Sequence, residues 1–301
     1  MGARCNPPGA GSAAVASGFV DPTDSTFRIP ALTGRATLRS WPTLAQPDPA
    51  GTVDAGPLMS APPVISIIVP CDESTPLLTG TLASIREQRW LQPEVLLLDR
   101  SGGRLESSPA TPERAGPRVV PVTGISDSEA LNAGIAAAKG EWLLFLQPGD
   151  RLVGDMVLSE THNWMKKTES GIVAGEVATD DGEILRLHSQ VNAAAGNFLP
   201  SSGTFYRATL FAENGGFDPA LGPQAFYEFN VRLWKSRVRF KPLPLRIAAV
   251  PATGKRAASP VEIREARAVR HRYFSFGRCL PWDVLDVVGG VWRRATRMFR
   301  R

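Results

Sequence analysis

Residues 140–150 read GEWLLFLQPGD, and no other stretch limits the fold as strongly. Trp142, Leu143, Leu144, Phe145 and Leu146 form an apolar run without polar alternation. That is the pattern of a central strand covered on both faces. Pro148 and Gly149 end the run, which puts Asp150 at the carboxyl end of a strand. Open α/β sheets bind their ligands at that edge. A carboxylate on such a turn can hold a divalent cation, and the cation a diphosphate. The plainer reading of the same residue is a solvated turn aspartate.

The preceding sequence supplies a sheet for this strand to join. Residues 64–70, VISIIVP, are expected to form a first buried strand, and residues 94–99, EVLLLD, a second that ends at the turn RSGG. Residues 119–122 make a third, short strand. Between them lies a helix with Leu78, Leu82 and Ile85 on one face. A further helix is capped by Ser126 or Asp127, with Leu131, Ile135 and Ala138 inward, and Gly140 closes it. Strands alternating with helices predict an α/β fold built on a mainly parallel, doubly wound twisted sheet flanked by helices. Beyond Asp150 the pattern predicts a helix over 156–167 and a hairpin of strands 171–177 and 183–187. A strand at 204–206, a helix over 208–213 ending at Gly215-Gly216, a helical face of Phe226, Phe229 and Leu233, and a strand over 239–250 complete it.

Composition narrows the classes. No apolar run in the 301 residues approaches the roughly 20 needed to span a bilayer. Cys5, Cys71 and Cys279 are too scattered for a disulfide framework or a zinc site, so a reducing cytoplasm fits best. From residue 251 onward there are 12 Lys/Arg against 4 Asp/Glu, an excess of eight in a chain of net charge +5, so everything before it nets −3. Basic character therefore belongs to the tail, which argues against a nucleic-acid groove through the main domain. Residues 1–62, rich in Pro, Gly, Ala, Ser and Thr, read as a disordered leader; 63–250 read as the ordered domain and 251–301 as a basic helical tail.

Three strands thus end in polar turns, at Pro70-Cys71-Asp72-Glu73, Asp99-Arg100-Ser101-Gly102 and Gln147-Pro148-Gly149-Asp150. In a parallel sheet these turns share one edge. Carboxylates gathered there could bond a ribose or base and, through a metal, a diphosphate. A nucleotidyltransferase on a similar sheet is disfavoured, because no Gly- and Lys-rich triphosphate loop follows the first strand.

The order SIIVP, EVLLLDRSGG, GISDSEALNAGIAAAKGEWLLFLQPGD, TFYRATLFAENGGFD and FYEFNVRLW, spread over residues 64–250, resembles family 2 glycosyltransferases of the bacterial surface-polysaccharide type. The resemblance implies a GT-A-like fold, that of the nucleotide-diphospho-sugar transferases. It also implies transfer of a sugar from a nucleotide-sugar donor to a saccharide or lipid-linked acceptor in polysaccharide biosynthesis, with Mg²⁺ or Mn²⁺. Carried over, Asp72 or Glu73 and, with it, Asp99 match the positions that hold the nucleoside, and Asp150 matches the last carboxylate of the metal-binding turn. The earlier acidic places of that turn are Gln147 and Gly149 here. The family's base, an Asp ahead of a Tyr that deprotonates the acceptor, aligns with Phe226, so Glu228 is the nearest carboxylate candidate. Ser201-Ser202 stand where a His-Gln pair is common.

Two alternatives follow from these departures and from the tail. The chain could instead be a catalytically inactive glycosyltransferase-like binding or scaffold protein. Asp127 and Asn132 either line the donor pocket or serve as a helix cap and a polar helix face. Over 281–301, Val284, Val288, Val291, Trp292, Ala295 and Phe299 fall on one helical stripe beside Arg293, Arg294, Arg297, Arg300 and Arg301. Such a helix either makes peripheral contact with the inner face of an anionic membrane or packs back on the domain.

Overall fold

The computed structural model describes residues 63–72, 76–105, 116–122, 125–185, 193–252 and 259–298, with side chains to Val287 in the last segment. These all fall in the second of the two units, Met1–Gly56 and Pro57–Arg301, into which the chain divides. The leader over 1–62 and the candidate Glu73 lie outside the described residues.

Strands and helices alternate as β1 (Ile65–Cys71), α1 (Pro76–Arg86), β2 (Glu94–Asp99), β3 (Arg118–Pro121), α2 (Asp127–Ala137) and β4 (Trp142–Phe145). There follow β5 (Arg151–Leu152), α3 (Val157–Met165), β6 (Ile172–Thr179), β7 (Ile184–Leu185), β8 (Thr204–Arg207), α4 (Thr209–Asn214), α5 (Ala225–Lys235) and β9 (Phe240–Val250). Helices α6 (Pro260–Tyr273) and α7 (Phe276–Met298) close the chain. Among the described residues the strands form one nine-stranded sheet in the order β3-β2-β1-β4-β8-β6-β9-β5, with β7 paired to β6.

The first half is the parallel sheet the alternation predicts: β3, β2, β1 and β4 run together, in register at Leu96↔Arg118, Ile68↔Leu96 and Ile68↔Phe145. The second half mixes directions. β8 runs antiparallel to both β4 and β6, whereas β9 runs parallel to β6 and antiparallel to β5. The two-residue β5, directly after Asp150, has no pattern of its own in the sequence and exists by pairing with β9.

Strand β4 explains the unbroken apolar run. Leu143 and Phe145 point into one buried layer with Ile68, Leu98, Tyr206, Phe211 and Phe217. Trp142, Leu144 and Leu146 point into the other, with Ile67, Val69, Leu78 and Phe205. Each such side chain contributes about 1.5–3 kcal/mol on full burial, so polar alternation on either face would be costly. Helix α2 begins where its cap can form: Ser126 accepts from the Glu129 N–H at 3.3 Å, and Glu129 accepts from the Ser126 N–H at 2.8 Å. Asp127 is therefore the first helical residue, and Ser126 is the cap.

Gly140 fixes the junction between α2 and β4. Its N–H donates to Ser66 Oγ at 2.8 Å, and a Cβ there would lie 2.5 Å from the Ser66 backbone nitrogen. Gly140→Ala is therefore expected to lower unfolding free energy by about 1–3 kcal/mol, read as a lower urea midpoint with an unchanged slope.

Candidate functional site

The carboxyl edge of β2, β1 and β4 carries the three polar turns. Asp99 ends β2 and pairs in register with Cys71, the last residue of β1. Strands in a sheet lie about 4.8 Å apart, so the β2 and β4 turns are separated laterally by roughly 10 Å, within the span of a nucleoside diphosphate. Burial, then the charges of Asp99 and Asp72, push the Cys71 thiol up to about 12. Both carboxylates therefore stand close to the end of β1.

Their roles within that edge differ. Asp72 is exposed and meets Arg100 Nε at 3.4 Å, while Arg100 also pairs with Asp127. One guanidinium thus ties the turns after β1 and β2 to the start of α2. Asp99 is buried and folds its own turn: Oδ1 accepts from the Ser101 N–H at 2.7 Å and the Ser101 hydroxyl at 2.5 Å, and Oδ2 accepts from the Gly103 N–H at 2.9 Å. The Ser101 hydroxyl bond is the leading reason the Asp99 carboxyl sits below its ordinary range. Gly103 sits at φ 92°, a left-handed conformation that a side chain would strain. A nucleoside reaching Asp99 must share oxygens already engaged in shaping the loop.

Asp150 is 4 % exposed. The Gln147 N–H donates to its Oδ2 at 2.8 Å, and its own N–H donates back to the Gln147 carbonyl at 2.9 Å. The Ser202 hydroxyl also donates to Oδ2, at 2.5 Å. Ser202 belongs to the 3₁₀ turn Ser201–Gly203 just before β8, and antiparallel pairing of β8 with β4 brings that turn beside the β4 turn. Gly149, at φ 104°, donates its N–H to Thr81 Oγ1 of α1 at 2.9 Å. A Cβ on Gly149 would lie 2.8 Å from Pro251. Burial raises the Asp150 carboxyl above its ordinary range despite these hydrogen bonds. An ionised carboxylate so enclosed is unfavourable without a cation.

Among the described residues no group of three His, Cys, Asp or Glu side chains is placed to hold a metal ion. The donor set at the β4 turn is one carboxylate, with both of its described hydrogen bonds on Oδ2. That set fits a hard dication that keeps waters and shares one protein oxygen with substrate phosphates, rather than an all-protein cage.

The acceptor-side candidate sits in a side-chain network. Glu228, the candidate base, is 2 % exposed. It accepts from Arg232 Nη2 at 2.9 Å and Nε at 3.2 Å, and from the Tyr273 hydroxyl. Arg232 in turn donates to the carbonyls of Asn214, Gly215 and Gly216, the last at 2.7 Å. In this network an acceptor hydroxyl would have to displace Arg232 or Tyr273 to reach the Glu228 carboxylate. The spacing of Glu228 and Arg232, four apart on a helix, is the sequence signal for that pair. Phe226 packs edge-on to Phe217 and Phe145, with ring centroids at 4.7 and 5.2 Å, as a half-buried member of the aromatic cluster.

Asn132 is likewise structural, bonded in both directions to the Phe217 backbone at 2.8 and 2.9 Å. Ser202 is the site residue that sequence reasoning noted only as a departure. Its partnership with Asp150 spans 52 positions, and only the β4–β8 pairing reveals it.

The model of the family described as glycosyl transferase family 2 matches residues 66–231, just over half of the chain. The chain belongs to glycosyl transferase family 2. A comparison with curated protein sequences finds no match. Among solved structures, S. aureus TarS 1-349 in complex with UDP is 16% identical at a TM-score of 0.54, covering 69% of this chain and 64% of that one. The mannosyltransferase PcManGT from Pyrobaculum calidifontis, in complex with GDP-Man and Mn²⁺, is 18% identical at a TM-score of 0.50, covering 72% and 65%. A longer TarS structure matches over only 38% of its length, so this chain spans less than two thirds of these neighbours. At such identities the likeness is one of fold, and it is the GT-A-like fold that the family implies.

Proposed function

We propose that this family 2 member transfers a sugar from a nucleotide-sugar donor to a saccharide or lipid-linked acceptor in polysaccharide biosynthesis. The observation that carries the reading is the buried Asp150, held by Ser202 and the Gln147 N–H at the carboxyl edge beside β1 and β2. In this reading the turns at Asp72 and Asp99 receive the nucleoside, and Asp150 shares a Mg²⁺ or Mn²⁺ ion with the donor diphosphate. The ion, when bound, offsets negative charge on the departing nucleoside diphosphate. Ser202 keeps the Asp150 carboxylate aimed, and the buried turn limits water around it. The UDP and the GDP-Man with Mn²⁺ named for the structural neighbours support a nucleotide-sugar donor here. A cytoplasmic setting goes with such a donor and with the buried free thiols of Cys71 and Cys279. Proximity to the inner face of the plasma membrane goes with a lipid-linked acceptor.

Calorimetry of the full chain against UDP, GDP, ADP, CDP and dTDP, each with Mn²⁺, tests this. One of them is expected to bind at roughly 10–100 µM, about −5.5 to −7 kcal/mol. Absence of binding by every one of them to folded protein contradicts the reading.

A second reading, a glycosyltransferase-like scaffold that binds a nucleotide without transferring sugar, is favoured by Phe226 and Glu228. One is packed among aromatic rings and the other closed by Arg232 and Tyr273. Diphosphate binding with no donor turnover in the presence of saccharide acceptors would select it.

A further inference from the structure

The C-terminal helix pair carries an apolar face that the described domain leaves uncovered. Phe276, Leu280, Val284 and Val287 of α7 follow one another at intervals of four, four and three residues, a single helical stripe. They are 69, 45, 51 and 60 % exposed. Scattered surface hydrophobics are ordinary, but a contiguous row on one helix marks a contact surface.

Buried pairs set the direction in which this row points. Cys279 and Asp283, on the strip of α7 next to this row, are buried. Asp283 pairs with Arg270 of α6 at 3.2 Å and with His271 Nε2 at 2.7 Å, and Arg270 also pairs with Asp286. Arg270 is itself buried, and Trp282 packs against the core. The helix is fastened through that strip, roughly a quarter-turn from the centre of the row, and the exposures of Phe276, Leu280, Val284 and Val287 leave the row facing outward.

We propose that α7 lies flat on an anionic lipid surface through this row. Charge selects the occupant. After Asp286 the sequence holds Arg293, Arg294, Arg297, Arg300 and Arg301 and no acidic residue, while the apolar spacing runs on through Val288, Val291, Trp292 and Ala295. Apolar side chains entering the acyl boundary, with arginines at headgroup level, describe an interfacial helix. A second copy of the chain docking on the same row would bring two arginine-rich segments together. The helix lies on the bilayer and does not enter it: among the described residues none is long and apolar enough to cross a membrane. The inference stands apart from the donor-site reading, because the row Phe276, Leu280, Val284 and Val287 shares no residue with the carboxyl edge turns described above.

The test is flotation of the full chain with vesicles of phosphatidylcholine alone, and with about a third phosphatidylglycerol, at about 0.1 M salt. Wild type is expected to float with the anionic vesicles, at least fivefold more than with neutral ones, and to be released by high salt. Leu280→Gln with Val284→Gln, both at exposed positions, is expected to cut the bound fraction about tenfold while leaving the unfolding midpoint and nucleotide binding unchanged. Failure of wild type to float, equal flotation with both vesicle types, or equal flotation by wild type and variant overturns the proposal. So does a concentration-dependent dimer in light scattering that the double substitution abolishes, which would assign the row to a second copy. Loss of nucleotide binding with flotation intact would count against the donor site alone.

Discussion

Asp150→Asn is expected to raise the thermal stability of the ligand-free protein at pH 7, and to weaken binding of a nucleoside diphosphate with Mn²⁺ by about tenfold or more, at least about 1.4 kcal/mol. The two effects share one cause. Burial lifts the Asp150 carboxyl above its ordinary value, so the folded state holds this proton more tightly than the unfolded chain does. For a carboxyl shifted in that direction, stability falls as pH rises from the unfolded value through the folded one, and the deficit persists at neutral pH. An asparagine oxygen can still accept from Ser202 and from the Gln147 N–H, but carries no charge to bury. The variant's advantage, expected to be about 1 kcal/mol, should therefore be present at pH 7 and fade as pH falls toward 4. Adding Mn²⁺ with the nucleoside diphosphate should reverse the order, because only the wild-type carboxylate gains from the cation. Melting curves at two pH values, with and without ligand, give all four comparisons. A variant less stable than wild type at neutral pH, or one with unchanged ligand stabilisation, contradicts this account of Asp150.

Legibility in the sequence followed the range of the interactions. β1, β2 and β4 could be read directly because strands covered on both faces must be apolar throughout, and their residues say so without help from a partner. The cap of α2 was narrowed to Ser126 or Asp127, and the Ser126–Glu129 reciprocity decided it. The second half was less transparent. Strand β9 alternates exposed and buried positions, and its parallel pairing with β6 carries register shifts around Glu176, which no local pattern announces. The place of Asp150 at the end of β4 could be read from its own turn, but Ser202 as its partner needed β8 to run beside β4. The carboxyl edge could thus be inferred from three strand endings. The use of Asp99 as a turn-builder could not, since the same Asp-Arg-Ser-Gly sequence serves a ligand or a loop equally well.

Arg232, which pairs with the buried Glu228, is the residue with the largest expected effect on folding. Arg232→Ala is expected to destabilise the protein by about 3 kcal/mol, because it leaves a carboxylate that is 2 % exposed with only the Tyr273 hydroxyl and Arg272, at 3.9 Å, beside it. It also removes the donors to the carbonyls of Asn214, Gly215 and Gly216, where Gly215 leaves α4 at φ 80°. The stacked cluster nearby shares the loss: Arg232 lies 5.1 Å from the Phe229 ring, which stacks on Phe211 at 4.5 Å. Glu228→Gln leaves the shape and can still accept from the Tyr273 hydroxyl and the guanidinium, so a smaller loss, about 1–3 kcal/mol, is expected. The two variants separate an anchor from a base. If Glu228 anchors, donor turnover per folded molecule of Glu228→Gln stays within a few-fold of wild type, and the damage appears in urea midpoints. A fall of about a hundredfold in turnover with stability preserved would restore Glu228 to the chemistry. Coupling between the pair can be read from Glu228→Gln with Arg232→Ala together. Removing both charges should cost less than the two single losses added, since the lone buried charge that dominates each is then absent.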